Sequence, residues 1–318
     1  MNSELKQIAK VIKKANRIAL FCHINPDFDA LGSVYSMYEA LTNCFGKQVS
    51  IFSSDKLTYT EKMLFDESLL KKNCNPADYD LFVSCDVSAK NMLGQFEQIF
   101  IQKENNVVID HHSNTTFRGR YSVVDSERSS CCEIVFDLLR ALKTKITPQM
   151  ASYIYAGLSS DTNSFINSNT NVQSFETAKS LIKLGADVAK LNEVLYHTRS
   201  KKSIEFKKYL WNNFKIKNDY AYCVMAYEDL QKLNGEISDC DGYSHSLVGI
   251  QGVNYGISIV EEAKGFFKVS MRSKVGYNVM VKAEKIGGGG HVCAAGARFY
   301  AKNITEAKKK VLELMKGE

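Results

Sequence analysis

Three short apolar runs, each ending on acids or histidines, constrain this chain most. Residues 18–22 lead into His23, Asp27 and Asp29, residues 81–85 into Asp86, and residues 107–109 into Asp110, His111 and His112. Continuous apolar runs of this length suit strands buried on both faces of a parallel sheet. Helical periodicity precedes the first run, at residues 3–14, and follows it, at residues 31–43. The pattern predicts an α/β domain with helices on both faces of its sheet, whose strands deliver Asp and His to one rim. In open α/β sheets, the carboxyl edge is where ligands bind.

The first of these turns is the densest. Asn25-Pro26 breaks the strand, and a helix is expected from Ala30, so His23, Asp27 and Asp29 fall in a strand-to-helix loop. The same residues also suit an Asx-rich turn that caps the next helix, with Asp29 as the cap. Ser130-Cys-Cys-Glu133 fits a capping box ahead of a helix over residues 134–142. Thr147-Pro148 predicts the start of a helix reaching about Ser159, with Asp161 just past its end. A carboxylate there is disfavoured by the helix dipole unless a cation lies nearby.

At 318 residues, with 45% hydrophobic and 24% charged, the chain is expected to form two globular domains. It has no apolar run near the roughly 18 residues of a membrane helix, and its first residues show no signal-peptide pattern. These features predict a cytoplasmic protein with no membrane partner. The nine scattered cysteines, without a C-x-x-C pair, read as reduced and mostly buried. The net charge of +6 is spread over Lys-rich helix faces, which suits polyanionic substrates but marks no stripe for duplex-specific nucleic-acid binding. His197 and His245 have no partner in sequence and read as structural or surface residues.

Four segments together resemble the DHH phosphoesterase family: His23-x-Asn-Pro-Asp27-x-Asp29-Ala-Leu-Gly-Ser33, Ser84-Cys-Asp86, Val108-Ile-Asp110-His111-His112 and Gly157-Leu-Ser-Ser-Asp161-Thr162. The resemblance implies a site for two divalent cations, usually Mn2+, with Mg2+ as another choice. One ion would be held by His23, Asp27 and Asp86, the other by Asp29, Asp86, His111 and Asp161, with Asp86 bridging. Asp110 would orient a histidine, and His112 would meet the scissile phosphate. The chemistry agrees, because clustered aspartates repel one another unless a cation compensates them. Carboxylate and imidazole donors without thiolate suit Mn2+, Mg2+ or iron better than structural Zn2+. Two ions about 3.5–4 Å apart acidify a shared water and stabilise an in-line displacement at phosphorus.

Beyond a helix expected over residues 172–184, a mostly helical linker at about 191–215 would join the DHH domain (1–190) to a smaller α+β domain (216–318). Ser270-Met-Arg272-Ser273 is expected at a strand end. Gly287 to Gly290, then His291 and Ala-Ala-Gly296, are expected to form a phosphate-holding loop at the start of a helix. These features resemble a DHH-associated domain of the first type, which implies that Arg272, Ser273, Gly288, Gly289, Gly290 and His291 contact the substrate. Arg suits bidentate phosphate binding.

The overall layout is closest to family members that act as oligoribonuclease and 3'-phosphoadenosine-5'-phosphate phosphatase. It implies short single-stranded RNA or small nucleotides as substrates for a monomer or homodimer. Linear or cyclic dinucleotides are an alternative substrate class. Type II inorganic pyrophosphatase is a rival whose Ser-Arg-Lys-Lys cluster is replaced here by Ser270-Met-Arg272-Ser273-Lys274. A non-catalytic nucleotide sensor is the other. Phe28 and Asn163 stand where the family often has glycine, which bears on substrate preference.

Overall fold

The computed structural model describes residues 3–234, 240 and 242–315. The chain divides into two compact units, Met1–Thr198 and Arg199–Glu318. Among the described residues, no helix is long and apolar enough to cross a membrane. All nine cysteines are free thiols.

The first unit contains, in order, α1 (Ser3–Lys14), β1 (Arg17–Phe21), α2 (Phe28–Glu39), β2 (Gln48–Phe52), β3 (Leu70–Lys71), β4 (Leu81–Cys85), α3 (Glu97–Gln102), β5 (Asn106–Asp110), β6 (Tyr121–Val124), α4 (Cys131–Leu142), α5 (Pro148–Asp161), α6 (Val172–Lys183) and α7 (Val188–Asn192). Its strands form one parallel sheet in the order β3-β2-β1-β4-β5-β6. The direction of winding reverses between β1 and β4, so the crevice of this doubly wound sheet opens there. Alternation along each strand divides the core. Ile18, Leu20, Val83 and Ile109 pack with α1, α2, α4 and α5, whereas Ala19, Phe21, Phe82 and Val108 pack with Phe96 and Phe100 on the other face. Phe21 lies 5.1 Å from Phe52 and 5.0 Å from Phe82, ring centre to ring centre.

The second unit contains α8 (Lys201–Asn213), β7 (Lys215–Lys217), β8 (Tyr220–Met225), α9 (Tyr227–Lys232), α10 (Tyr243–Val248), β9 (Tyr255–Ala263), β10 (Phe266–Ser273), α11 (Met280–Glu284), β11 (Gly289–His291), β12 (Ala294–Tyr300) and α12 (Ile304–Glu313). The sheet order is β11-β12-β10-β9-β8-β7, with only β8 and β9 parallel. Helix α8 buries Phe206 and Leu210 against Ala221, Cys223 and Met225, so it belongs to this unit's core.

Three local expectations are corrected. The segment from Ala294 is a strand, with no helix after the glycines: Ala295, Ala297 and Phe299 are buried in alternation and pair across to β10. A run of Ala and Gly carries no period of its own, and the pairing partner decides. Asp27, rather than Asp29, caps α2, its carboxylate accepting from the N–H groups of Asp29 and Ala30 at 3.0 Å. Asp29 therefore lies inside the first turn. Asp161 is the last residue of α5 instead of following it.

Helices α2 and α5 meet through glycine. A Cβ on Gly32 would lie 2.4 Å from the backbone oxygen of Tyr153 and 2.9 Å from Cys132 Sγ. Helix propensity alone makes Gly→Ala favourable by about 1 kcal/mol, but a clash with backbone cannot be relieved by a rotamer change, and overpacking costs about 1–3 kcal/mol. Gly32→Ala is therefore expected to lower the urea midpoint at constant slope. A variant as stable as the wild type would show that the two helices separate freely.

Candidate metal centre

The crevice between β1 and β4 gathers the acids and histidines of the first unit. Phe21 pairs with Ser84, so two residues further on His23 and Asp86 leave neighbouring strands side by side. Asp110 ends β5, His111 and His112 follow it, and α5 brings Asp161 from the helical layer. His23 Nε2 lies 3.7 Å from Asp27 Oδ1 and 3.5 Å from Asp86 Oδ2. His111 Nε2 lies 3.2 Å from Asp161 Oδ2, 3.6 Å from Asp86 Oδ1 and 3.8 Å from Asp29 Oδ2. Asp86 thus stands between two donor groups, one oxygen toward each.

Both imidazoles are aimed by backbone. His23 Nδ1–H donates to the Ile24 carbonyl at 2.8 Å and His111 Nδ1–H to the Arg128 carbonyl at 3.2 Å. A carbonyl only accepts, so Nδ1 carries a proton and Nε2 faces the carboxylates, the nitrogen that a metal-binding histidine would offer to the ion. His112 is turned the other way. Its Nδ1–H donates to Asp110 Oδ1 at 2.9 Å, and Asp110 is fully buried and also accepts from the Thr115 hydroxyl.

Asp29 has no solvent exposure, and both its oxygens are occupied from behind. The N–H of Cys131 donates to Oδ2 at 2.6 Å and that of Cys132 to Oδ1 at 2.9 Å. These are the first two residues of α4, so a helix N-terminus, with its partial positive charge, compensates the carboxylate. Ser130 caps the same helix, accepting from the Glu133 N–H, while Glu133 accepts from Ser129. Cys131 and Cys132, expected only as reduced, buried residues, act here through their backbone. The only signal in the sequence was the helix start they occupy, because their contribution comes from backbone.

The electrostatics favour a cation. Burial, then the neighbouring carboxylates, raise the pKa of Asp29 and of Asp161 well above the carboxylate range. Burial opposes charge on His23, but hydrogen bonds with Asp27 and Asp86 hold its pKa well above the usual imidazole value. Burial lowers that of His111. His112, despite its burial, is raised to about 9 by Asp110 and Asp86. Asp86 Oδ1 and Asp161 Oδ2 are buried without a hydrogen bond, a costly state for a carboxylate. One donor atom each from His23, Asp27 and Asp86, and likewise from Asp29, His111 and Asp161, lie within 4.8 Å of one another. The donor set and these orphaned oxygens fit hard divalent ions.

The residues singled out in the second unit lie along one end of its sheet. Arg272 on β10 pairs with Ala294 on β12, which pairs with His291 on β11, placing all three in one row. The Ser273 hydroxyl donates to the Tyr277 carbonyl within its own turn. Gly289 and Gly290 are strand residues, and a Cβ on Gly288 would lie 2.0 Å from the Gly296 carbonyl oxygen. Close backbone packing thus accounts for Gly288.

Residues 17–158 match the DHH family, N-terminal domain, and residues 220–317 match the DHHA1 domain. A bifunctional oligoribonuclease and PAP phosphatase NrnA from Mycoplasma genitalium is 28% identical, over 97% of this chain and 98% of its own. An exopolyphosphatase-related protein from Bacteroides fragilis has the same fold, with a TM-score of 0.88 at 23% identity over 98% of this chain and 95% of its own. An exonuclease RecJ bound to manganese superposes with a TM-score of 0.53 at 15% identity over 99% of this chain and 95% of its own.

The raised pKa values fix the sign of a pH effect. Asp29, Asp161 and His23 retain protons more readily than free side chains do, and a bound cation requires them to lose those protons. Divalent-ion affinity is expected to strengthen as pH rises, with proton release on binding. Calorimetric titration of Mn2+ in two buffers of different ionisation enthalpy checks this. Equal heats in both would show a centre already deprotonated. Asp86→Ala is expected to abolish binding at both positions.

Proposed function

The chain belongs to the DHH family, a DHH N-terminal domain followed by a DHHA1 domain, and from that membership we propose that it hydrolyses very short oligoribonucleotides to mononucleotides and 3'-phosphoadenosine-5'-phosphate to AMP. The reaction class is hydrolysis of phosphoester bonds. The observation that carries the reading is Asp86, set between His23 and His111 at the crevice of the sheet with a buried oxygen that meets no donor. The substrate class is supported by the full-length relative named for both activities.

His23, Asp27 and Asp86 would hold one divalent ion, and Asp29, Asp86, His111 and Asp161 a second, with manganese the proposed identity. Ions bound there supply an acidified water and neutralise charge on the phosphate. The protein residues do the rest. Asp110, fixed by Thr115, holds the His112 ring by Nδ1 and favours its cationic form. The Nε2–H of His112 is proposed to donate to a phosphoryl oxygen or to the leaving oxygen. The helix N-terminus behind Asp29 keeps that carboxylate from moving as charge shifts. In the second unit, Arg272 and His291 are proposed to bind substrate phosphate, with Ser273, Gly288, Gly289 and Gly290 shaping that row.

Purified protein with Mn2+ would be given a 5'-phosphorylated RNA dinucleotide, a longer RNA, 3'-phosphoadenosine-5'-phosphate and pyrophosphate in parallel. Mononucleotide release is expected from the dinucleotide, far slower release from the longer RNA, and no reaction with a chelator present. Turnover of pyrophosphate alone would overturn the substrate class. His112→Ala is expected to lower kcat by about 100-fold or more, and Asp110→Asn to lower kcat with Mn2+ affinity retained. An Asp110→Asn enzyme with normal kcat would remove His112 from the proton-donor role.

A further inference from the structure

We propose a second ligand site in the first unit, a cavity of about 520 Å3 between α1, β6 and α4 that takes a phosphate-bearing molecule of mononucleotide size and communicates with His111 through Arg128. Small-molecule sites run from about 300 to 1,000 Å3, so the volume is adequate. Leu5, Val123 and Ile134, themselves buried in the core, form its apolar floor.

The other side is charged. Arg128 donates to Asp137 at 2.6 Å and lies 3.5 Å from Asp125, yet its Nη1 is buried without an acceptor, so these carboxylates leave donor capacity unused. Arg140 and Lys143 stand at the C-terminal end of α4, both exposed. Arg140 reaches Asp137 only at 3.7 Å. Among the lining residues three cations stand against two carboxylates, with the buried Glu133 also acting on Arg128 from behind, and guanidinium groups match phosphate geometry.

Arg128 also connects this cavity to the metal centre. Its side chain lines the cavity, while its backbone carbonyl accepts from His111 Nδ1. An anion that draws the guanidinium away from Asp137 shifts the turn that aims His111. The binding claim stands apart from the phosphoesterase reading. Only the choice of AMP, a product of the proposed reaction, as the probe rests on it.

The test uses metal-free full-length protein, without turnover, so absence of hydrolytic activity would not obscure it. Binding of AMP, adenosine and inorganic phosphate is measured by calorimetry for the wild type and for Arg140→Gln/Lys143→Asn. Asparagine tolerates the left-handed backbone at position 143, where φ is 63°, and both side chains are exposed, so folding is preserved. AMP is expected to bind the wild type, more tightly than phosphate or adenosine, and the double variant about tenfold or more weakly. AMP is also expected to shift the His111 Nδ1 resonance of the wild type and not that of the variant. Absence of AMP binding, equal binding by adenosine, or unchanged affinity or resonance shift in the variant would each overturn the proposal.

Discussion

The Asp29 carboxylate, fully buried and held by the first two N–H groups of α4, is the interaction on which the first unit depends. It joins the turn after β1 to a helix that begins about 100 residues later, and Gly157 of α5 closes around the same point. A Cβ on Gly157 would stand 2.4 Å from Cys132 Sγ and 2.9 Å from Asp29 Oδ1. An uncompensated carboxylate in this position would cost several kcal/mol. The helix end offsets part of that cost, and a cation bound beside the carboxylate would offset the rest. The same contact that stabilises the layer of helices also fixes one wall of the metal centre.

Much of this centre was legible because its side chains follow strands. Residues 81–85 and 107–109 carry continuous apolar runs that only a doubly covered parallel strand explains, and Asp86, Asp110, His111 and His112 follow at once. Asp161 was legible from a different conflict, a carboxylate set against a helix dipole. The supporting groups were not legible. The Ile24 and Arg128 carbonyls and the Cys131 and Cys132 N–H groups act through backbone, which any residue type offers. Strand β6, only four residues long, likewise has no pattern that separates it from a turn.

The second unit shows the converse problem. Gly287 to Gly290 looked like a phosphate loop leading into a helix, because consecutive glycines fit that device. In the fold, a Cβ on Gly288 would meet the Gly296 carbonyl and one on Gly296 the Val269 carbonyl of β10, so both are small where backbones approach closely. Ala295, Ala297 and Phe299 alternate inward, yet two of those three are too small for periodicity to register. What survives is placement: Arg272 and His291 share a row, set by strand register.

Departures from local backbone rules separate the two units further. Non-glycine residues with positive φ in the first unit are Asn25, Asp86, Lys143, Asn163, Ser164 and Phe165, and in the second Asn218 and Asn234. Asparagine enters the left-handed region at small cost, so the second unit's pair are ordinary turn residues. Lys143 is a helix C-cap. Ser164 and Phe165, next to Asn163, have no such excuse, at a cost of about 1–3 kcal/mol per residue, and Asp86 shares the left-handed region. These residues lie beside Asp86 Oδ1 and Asp161 Oδ2, two of the buried carboxylate oxygens without a hydrogen bond among the described residues. The Asn167 and Asn169 amides pin this turn by donating to the Asp161 carbonyl. Strain and unmet charge therefore coincide at one crevice, as they do where a fold has given up local stability to hold charged groups for a ligand.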